Sequence, residues 1–262
     1  MRFKLTLSYD GSAYSGWQIQ PNAPSVQDTL QQAISVLLGE EIAVTGAGRT
    51  DAGVHAIRYV AHFDSASDRL SAQELGYKLN AILPASIVVH DVVPVRADFH
   101  ARFDAVSRSY LYFIHRGKDP FSAQYSWSCG WPLDVEAMNA AARHLLGTHD
   151  FSCFEKTGGN NQTSICTVRE AFWAPYTPQA VALQGLLPAA GTPAEYLVFR
   201  ITADRFLRNM VRAVVGTLVE VGRGKRSADD MPALLASRSR CAAGESVPAH
   251  ALFLADVKYP QE

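Results

Sequence analysis

Cysteine is scarce in this chain, and the four present, Cys129, Cys153, Cys166 and Cys241, form no C-x-x-C pair. That spacing argues against a dithiol redox motif or a zinc site and favours free thiols in a reducing cytosol. No H-E-x-x-H occurs, and His144 and His149 stand off the i, i+4 spacing of paired helical metal ligands. Long apolar runs are also missing, so no segment has the length of a membrane span. The first 17 residues alternate apolar and polar and lack the continuous core of a signal peptide. Excess charge is lacking too: 24 Lys and Arg against 25 Asp and Glu leave a net charge of −1. Global charge gives no support to a nucleic-acid partner, which would have to rest on a local basic face.

What is present suits a packed core. The chain has 262 residues, 48% hydrophobic and 19% charged, enough for one large domain or two small ones. Residues 3–9 alternate as a half-buried strand. A helix is predicted from Ser25, with Asp28 as a weak capping-box partner, to the stop at Gly39. Strands are predicted at 41–46 and 57–63, a helix from Ser71 (with Glu74 completing its capping box) to Pro84, and a strand at 86–95. The second half repeats the plan: a strand at 109–114, a helix at 134–147 closed by Gly147, strands at 165–173 and 194–203, a long helix at 206–222 and a closing strand at 252–259. The Pro- and Gly-rich stretch 177–193 reads as a loop or an irregular hairpin linking strands.

The fold class expected is α+β. Two pseudo-symmetric βαββαβ halves, ferredoxin- or RNP-like, would carry mainly antiparallel sheet with helices on one face and an active-site cleft between them. The expected domains are 1–104 and 105–262.

One stretch stands out chemically: Gly46 to Ala56, "GAGRTDAGVHA". Its opening mimics a phosphate loop, but Asp51 occupies the sixth position of a dinucleotide fingerprint, and the following residues alternate like a strand. No Walker motif exists either. Gly46 and Gly48 would permit positive φ or a close backbone approach, and Gly53 an unusual turn. Asp51 is either a turn cap, as Asp often is, or a presented carboxylate.

"GAGRTDAGVHA" resembles the signature of the tRNA pseudouridine synthase A family, with Asp51 at the catalytic aspartate. The resemblance continues through "YDGSAYSGWQIQPNAPSVQDTL" (9–30), "FHARFDAVSRSYLYFI" (99–114), "RFLRNMVRAVVGTLVEVG" (205–222) and "VPAHALFLADVKYP" (247–260). It implies a tRNA pseudouridine synthase, an isomerase needing no cofactor and no metal. The implied substrate is the anticodon stem-loop at tRNA positions 38, 39 and 40. It also implies a cytoplasmic homodimer. Catalytic roles fall on Asp51 as nucleophile, Tyr110 as stacking partner and Arg212 as counter-ion. Contacts to RNA fall on Arg49, Phe99, His100, Ala101, Arg102, Phe103, Tyr110, Arg205 and Arg208. Residues 155–166 match a region that contacts tRNA in the family. Val247, Ala251 and Ala213 depart from the family pattern, at positions that bear on local packing.

Arg208 and Arg212 are four apart and, within one helix, would share a face, with Arg205 about one turn earlier. Such a ridge suits an RNA-facing wall. Arg102, Arg108, Arg143, Arg223, Lys225, Arg226, Arg238 and Arg240 could extend a phosphate-binding surface. Two other functions compete with synthase activity: an RNA-binding module without turnover, and a metal-dependent RNA hydrolase using Asp51 and His55. The second lacks another carboxylate near Asp51 at ligand spacing.

Overall fold

The computed structural model describes residues 1–156, 158, 162–178 and 196–260. These form two compact units: Met1–Arg108 with Phe253–Glu262, and Ser109–Leu252. The closing strand was expected with the second half. It lies instead in the first unit, because Phe253 and Leu254 pair in parallel with His55 and Ala56.

The first unit runs β1 (Arg2–Tyr9), α1 (Val26–Leu38), β2 (Val44–Gly46), β3 (His55–Asp64), α2 (Ala72–Ile82) and β4 (Ile87–Val95), the order read from the sequence. Its strands lie in the order β4-β1-β3-β10, where β10 is Leu252–Lys258, and β2 pairs with β3. All pairs except β3–β10 are antiparallel. Leu5 and Leu7 of β1 sit opposite Ala61 and Tyr59 of β3, and all four are fully buried. Val26, Leu30, Ile34 and Leu38 of α1 are the helical stripe expected of an amphipathic helix. Ser25 accepts from the Asp28 N–H at 3.2 Å, and Gly39 closes α1 in the left-handed region. Ser71 and Glu74 form both halves of the capping box on α2.

The second unit contains β5 (Ser107–His115), which opens at the boundary, then β6 (Trp127–Ser128), α3 (Val135–Arg143), β7 (Gly147–Asp150), β8 (Ile165–Pro175), β9 (Tyr196–Ala203), α4 (Met210–Gly222) and α5 (Met231–Ser237). Its strands order β5-β9-β8-β7, with β6 beside β5. The mixed α+β architecture and mainly antiparallel pairing are as expected from sequence. Most of the 177–193 loop, residues 179–193, lies outside the described residues.

Several elements differ from the sequence reading. The helix read as 134–147 ends at Arg143; Gly147, with φ +97, opens β7. The long helix starts at Met210, because Asn209 takes φ +64 at its N-cap and breaks the run. Strand β7 and helix α5 are short elements that periodicity does not resolve. Among the described residues, no helix is long and apolar enough to cross a membrane.

Candidate active site

The Asp51 loop is held by its own unit, through the N-terminal segment that follows β1. The Trp17 N–H donates to the Thr50 carbonyl at 3.3 Å, and the Gly53 N–H to the Tyr14 carbonyl at 3.3 Å. The Tyr9 hydroxyl meets the Thr50 hydroxyl at 2.9 Å. Tyr59 donates to the Gly48 carbonyl and lies 3.4 Å from the Gly48 nitrogen as acceptor. Trp17 stacks on Tyr59 with ring centroids 4.1 Å apart, and Tyr9 meets Tyr59 edge-on at 5.6 Å. Three aromatics thus clamp the loop on the N-terminal side of Asp51. On the other side, the Val54 N–H returns to the Asp51 carbonyl at 3.1 Å, and Gly53 turns the chain at φ +76. The result presents a half-buried carboxylate on an over-determined backbone.

The glycines divide by role. A Cβ on Gly46 would lie 2.2 Å from the Tyr59 hydroxyl and 2.6 Å from the Trp17 ring, so this position needs the missing side chain. Gly48 is different: its φ is not left-handed and nothing lies within 4 Å of a built Cβ. Within the protein, Gly48 therefore serves neither positive φ nor tight packing; it borders open space. Gly16, which the motif reading passed over, has φ +96 and packs against the Thr50 carbonyl.

The structure brings two of the predicted RNA contacts together. Arg49 and Arg102, both exposed, line one recess of about 170 Å³ with Trp17, Gln18, Gly46 and Gly48. Neither guanidinium is in an ion pair among the described residues. The "FHARF" turn that carries Arg102 is pinned from three sides. The Ala101 N–H donates to His62 Nδ1 at 3.1 Å, Tyr259 donates to the Ala101 carbonyl at 2.6 Å, and Arg108 donates to the Arg102 carbonyl at 2.6 Å. Arg108 also reaches the Ala47 carbonyl at 3.0 Å, tying this turn to the Asp51 loop. Phe99 and Ala101 are buried anchors, not exposed contacts, whereas Phe103 is 74% exposed with His100 packed against its ring at 4.2 Å. Burial, then the positive charges of His100 and Arg2, lower His62 from 6.5 to about 4.

Tyr110 and Arg212 belong to the second unit. Tyr110 is half-buried on β5 and meets Phe206 edge-on at 5.0 Å and 84°. Arg212 is half-buried, while Val211 and residues 213–219 of α4 are all buried. Its Nε donates to the Val247 carbonyl at 2.7 Å, and Tyr112 donates to the neighbouring Pro248 carbonyl at 3.0 Å. The Val247 departure is therefore harmless to this contact, which uses backbone. Burial pushes the Tyr112 hydroxyl well above its ordinary range, against the opposing pull of Arg212. Arg205 and Arg208 precede α4, so the helical ridge with Arg212 expected from four-residue spacing does not form. Phe206, flanked by these arginines, was not singled out from sequence; an aromatic between two basic residues was the available signal.

Comparison with known proteins adds a second line of evidence. The family model described as tRNA pseudouridine synthase matches residues 6–104 and 141–260. A Bacteroides fragilis protein called tRNA pseudouridine synthase A is 47% identical over 262 residues, covering 100% of this chain and 97% of that one. Its namesake in Porphyromonas gingivalis is also 47% identical, covering 100% and 98%. The Bacillus subtilis protein of the same name is 39% identical over 99% of each chain. The Asp51 loop, the "FHARF" turn and the Arg212 helix all fall within the matched stretches, and the chain belongs to the tRNA pseudouridine synthase family.

Proposed function

We propose that this chain isomerises uridine to pseudouridine in the anticodon stem-loop of tRNA, at positions 38, 39 and 40, with Asp51 as nucleophile. The observation that carries the proposal is the fixation of the Asp51 backbone: its neighbours Thr50 and Gly53 are bonded to the segment between Tyr9 and Trp17, and Gly16 packs on the loop itself. Catalysis gains most from groups that do not have to be ordered during the reaction.

The chemistry is an internal exchange. The C1′–N1 bond breaks, the uracil turns, C1′ joins C5, and the C5 proton leaves while N1 gains one. No electron is lost or gained, so no redox partner is required. Asp51 acts ionised, attacking C6 of the base or C1′ of the ribose. Arg212 serves as the cation that keeps the carboxylate charged beside a desolvated base, a role suited to a guanidinium that cannot lose its proton. Tyr110 stacks on the extruded uracil and assists proton removal at C5, since the base must leave its helix to be reached. Arg49 and Arg102 take phosphates at the recess, with Phe103, His100, Arg205 and Arg208 extending the RNA contact. Phe99 and Ala101 hold the turn from beneath. The enzyme works in the cytoplasm as a homodimer on one tRNA.

The test is tritium release from C5-labelled tRNA transcripts. Asp51→Asn should abolish release while tRNA binding stays within about twofold, since a carboxylate contributes nothing favourable to phosphate contact. Full activity in that variant would sink the mechanism, and RNA binding without any release by the wild type would leave a binding module.

A further inference from the structure

A second surface, outside the candidate site already described, has the chemistry of an RNA contact. It lies in the second unit, and its aromatic half falls in residues 105–140, between the two stretches matched by the family model. Strand β6 pairs with Ile114 and His115 of β5, and the Cys129 N–H donates to the His115 carbonyl at 2.8 Å. Trp131 stands two residues beyond the buried Cys129. Three residues past Trp131, the Asp134 N–H donates to the Gly222 carbonyl at 2.9 Å, at the end of α4. Arg223 follows as the cap of that helix. Both halves of the surface are thus fixed to core elements.

The two halves meet as a stack. The Arg223 guanidinium lies 3.5 Å from the centroid of the Trp131 ring, and Trp131 remains 45% exposed. Trp127 meets the same ring edge-on at 6.5 Å. Space beside the stack is open: a Cβ on Gly130 or on Gly224 would meet nothing within 4 Å. Arg116 and Arg223 both act on the Cys129 sulfur, and Lys118 and Lys225 follow them in sequence. None of these four cations is in an ion pair among the described residues. The nearby Asp119 already accepts from Tyr196 at 2.9 Å and from the Phe121 N–H at 2.9 Å, and Arg226 is offset by Glu220 at 3.2 Å.

We propose that Trp131, with Arg223 stacked on it, is a docking platform for tRNA, stacking one unpaired base while the guanidinium holds an adjoining phosphate. An indole backed by a guanidinium offers a rigid π-face and keeps the guanidinium's rim donors available, which is how sequence-tolerant nucleic-acid platforms work. Unneutralised cations favour RNA over a second copy of the chain, because a symmetric self-contact would bring this patch against itself, cation to cation. The platform rests on the reading that the chain acts on tRNA.

The test uses the full chain. Trp131→Ala should raise both the Kd for tRNA and the KM for tritium release about tenfold with kcat held within about twofold, and Trp131→Phe should recover most of the loss. Arg223→Gln should reduce the slope of log Kd against log salt by about one. Unchanged Kd and KM in a folded Trp131→Ala would overturn the proposal. So would a loss confined to kcat, or a fall in particle mass by light scattering, which would mark a self-interface. If the wild type itself releases no tritium but the Kd effects appear, the synthase reading fails and the platform survives.

Discussion

Replacing Gly16 with alanine tests whether the backbone beneath Asp51 is as constrained as the geometry implies. Gly16 sits at φ +96, where an L-residue is strained by about 1–2 kcal/mol. A Cβ there would lie 2.4 Å from the Thr50 carbonyl oxygen, 3.1 Å from the Asp51 carbonyl carbon and 3.3 Å from the Ala52 nitrogen. All three neighbours are backbone atoms, so no side chain can swing away. The loop must retreat by roughly an ångström, and overpacking of that kind costs about 1–3 kcal/mol. Together the two terms give about 3 kcal/mol of lost stability. The displaced atoms belong to the peptides on either side of the Asp51 side chain, and a misplacement of about 1 Å lowers turnover on the order of 100-fold. Urea denaturation should show the stability loss and tritium release the loss of kcat, with tRNA affinity nearly unchanged. Gly48→Ala is the stability control: nothing lies within 4 Å of its Cβ, so its denaturation midpoint should match the wild type. If Gly16→Ala keeps wild-type stability and kcat, the claim that this backbone is over-determined is wrong.

Two other perturbations probe the anchors of each unit. His62 is held neutral by burial, at about 4 against an ordinary 6.5. Between pH 6.5 and 4 the unfolded chain binds a proton that the folded chain refuses, so stability is full above 6.5 and falls as pH drops, by about 3 kcal/mol at most. His62→Gln should flatten that part of the pH profile of the denaturation midpoint; an unchanged slope would show that His62 is not its source. In the second unit, a Cβ on Gly216 of α4 would lie 1.8 Å from the Glu245 carbonyl oxygen. Gly216→Ala should cost at least about 3 kcal/mol by pushing away the segment whose Val247 carbonyl receives Arg212. A wild-type melting curve would refute that packing.

Much of this architecture was legible in the chain because its signals are local. Alternation in residues 3–9 and the capping signatures at Ser25, Ser71 and Asp134 each act within a few residues, and each produced the element it announces. Boundaries failed where a single backbone conformation overrode a pattern. Asn209 in the left-handed region removes Arg208 from the helix that periodicity would have extended through it. Gly147 has the same freedom that closes α1 at Gly39, yet here it starts a strand. A glycine advertises that freedom without stating which use the fold makes of it.

The candidate site shows the same division more sharply. The motif made Asp51 visible, but gave the nearby glycines equal weight. Only their distant neighbours separate them: Gly46 is needed because Tyr59 and Trp17 press on it, Gly16 because Thr50 does, and Gly48 meets nothing. Those contacts join residues 9–17, 46–54 and 59, which β1 and β3 bring together by their antiparallel register, with a bulge between Leu7 and Tyr9. A carboxylate can be found from its own motif. Whether it is held still depends on strand register, and register is decided by the whole buried face of the sheet. The aromatic clamp of Tyr9, Trp17 and Tyr59 belongs as much to the site as Asp51 does, although each of its members, read alone, is an ordinary core residue.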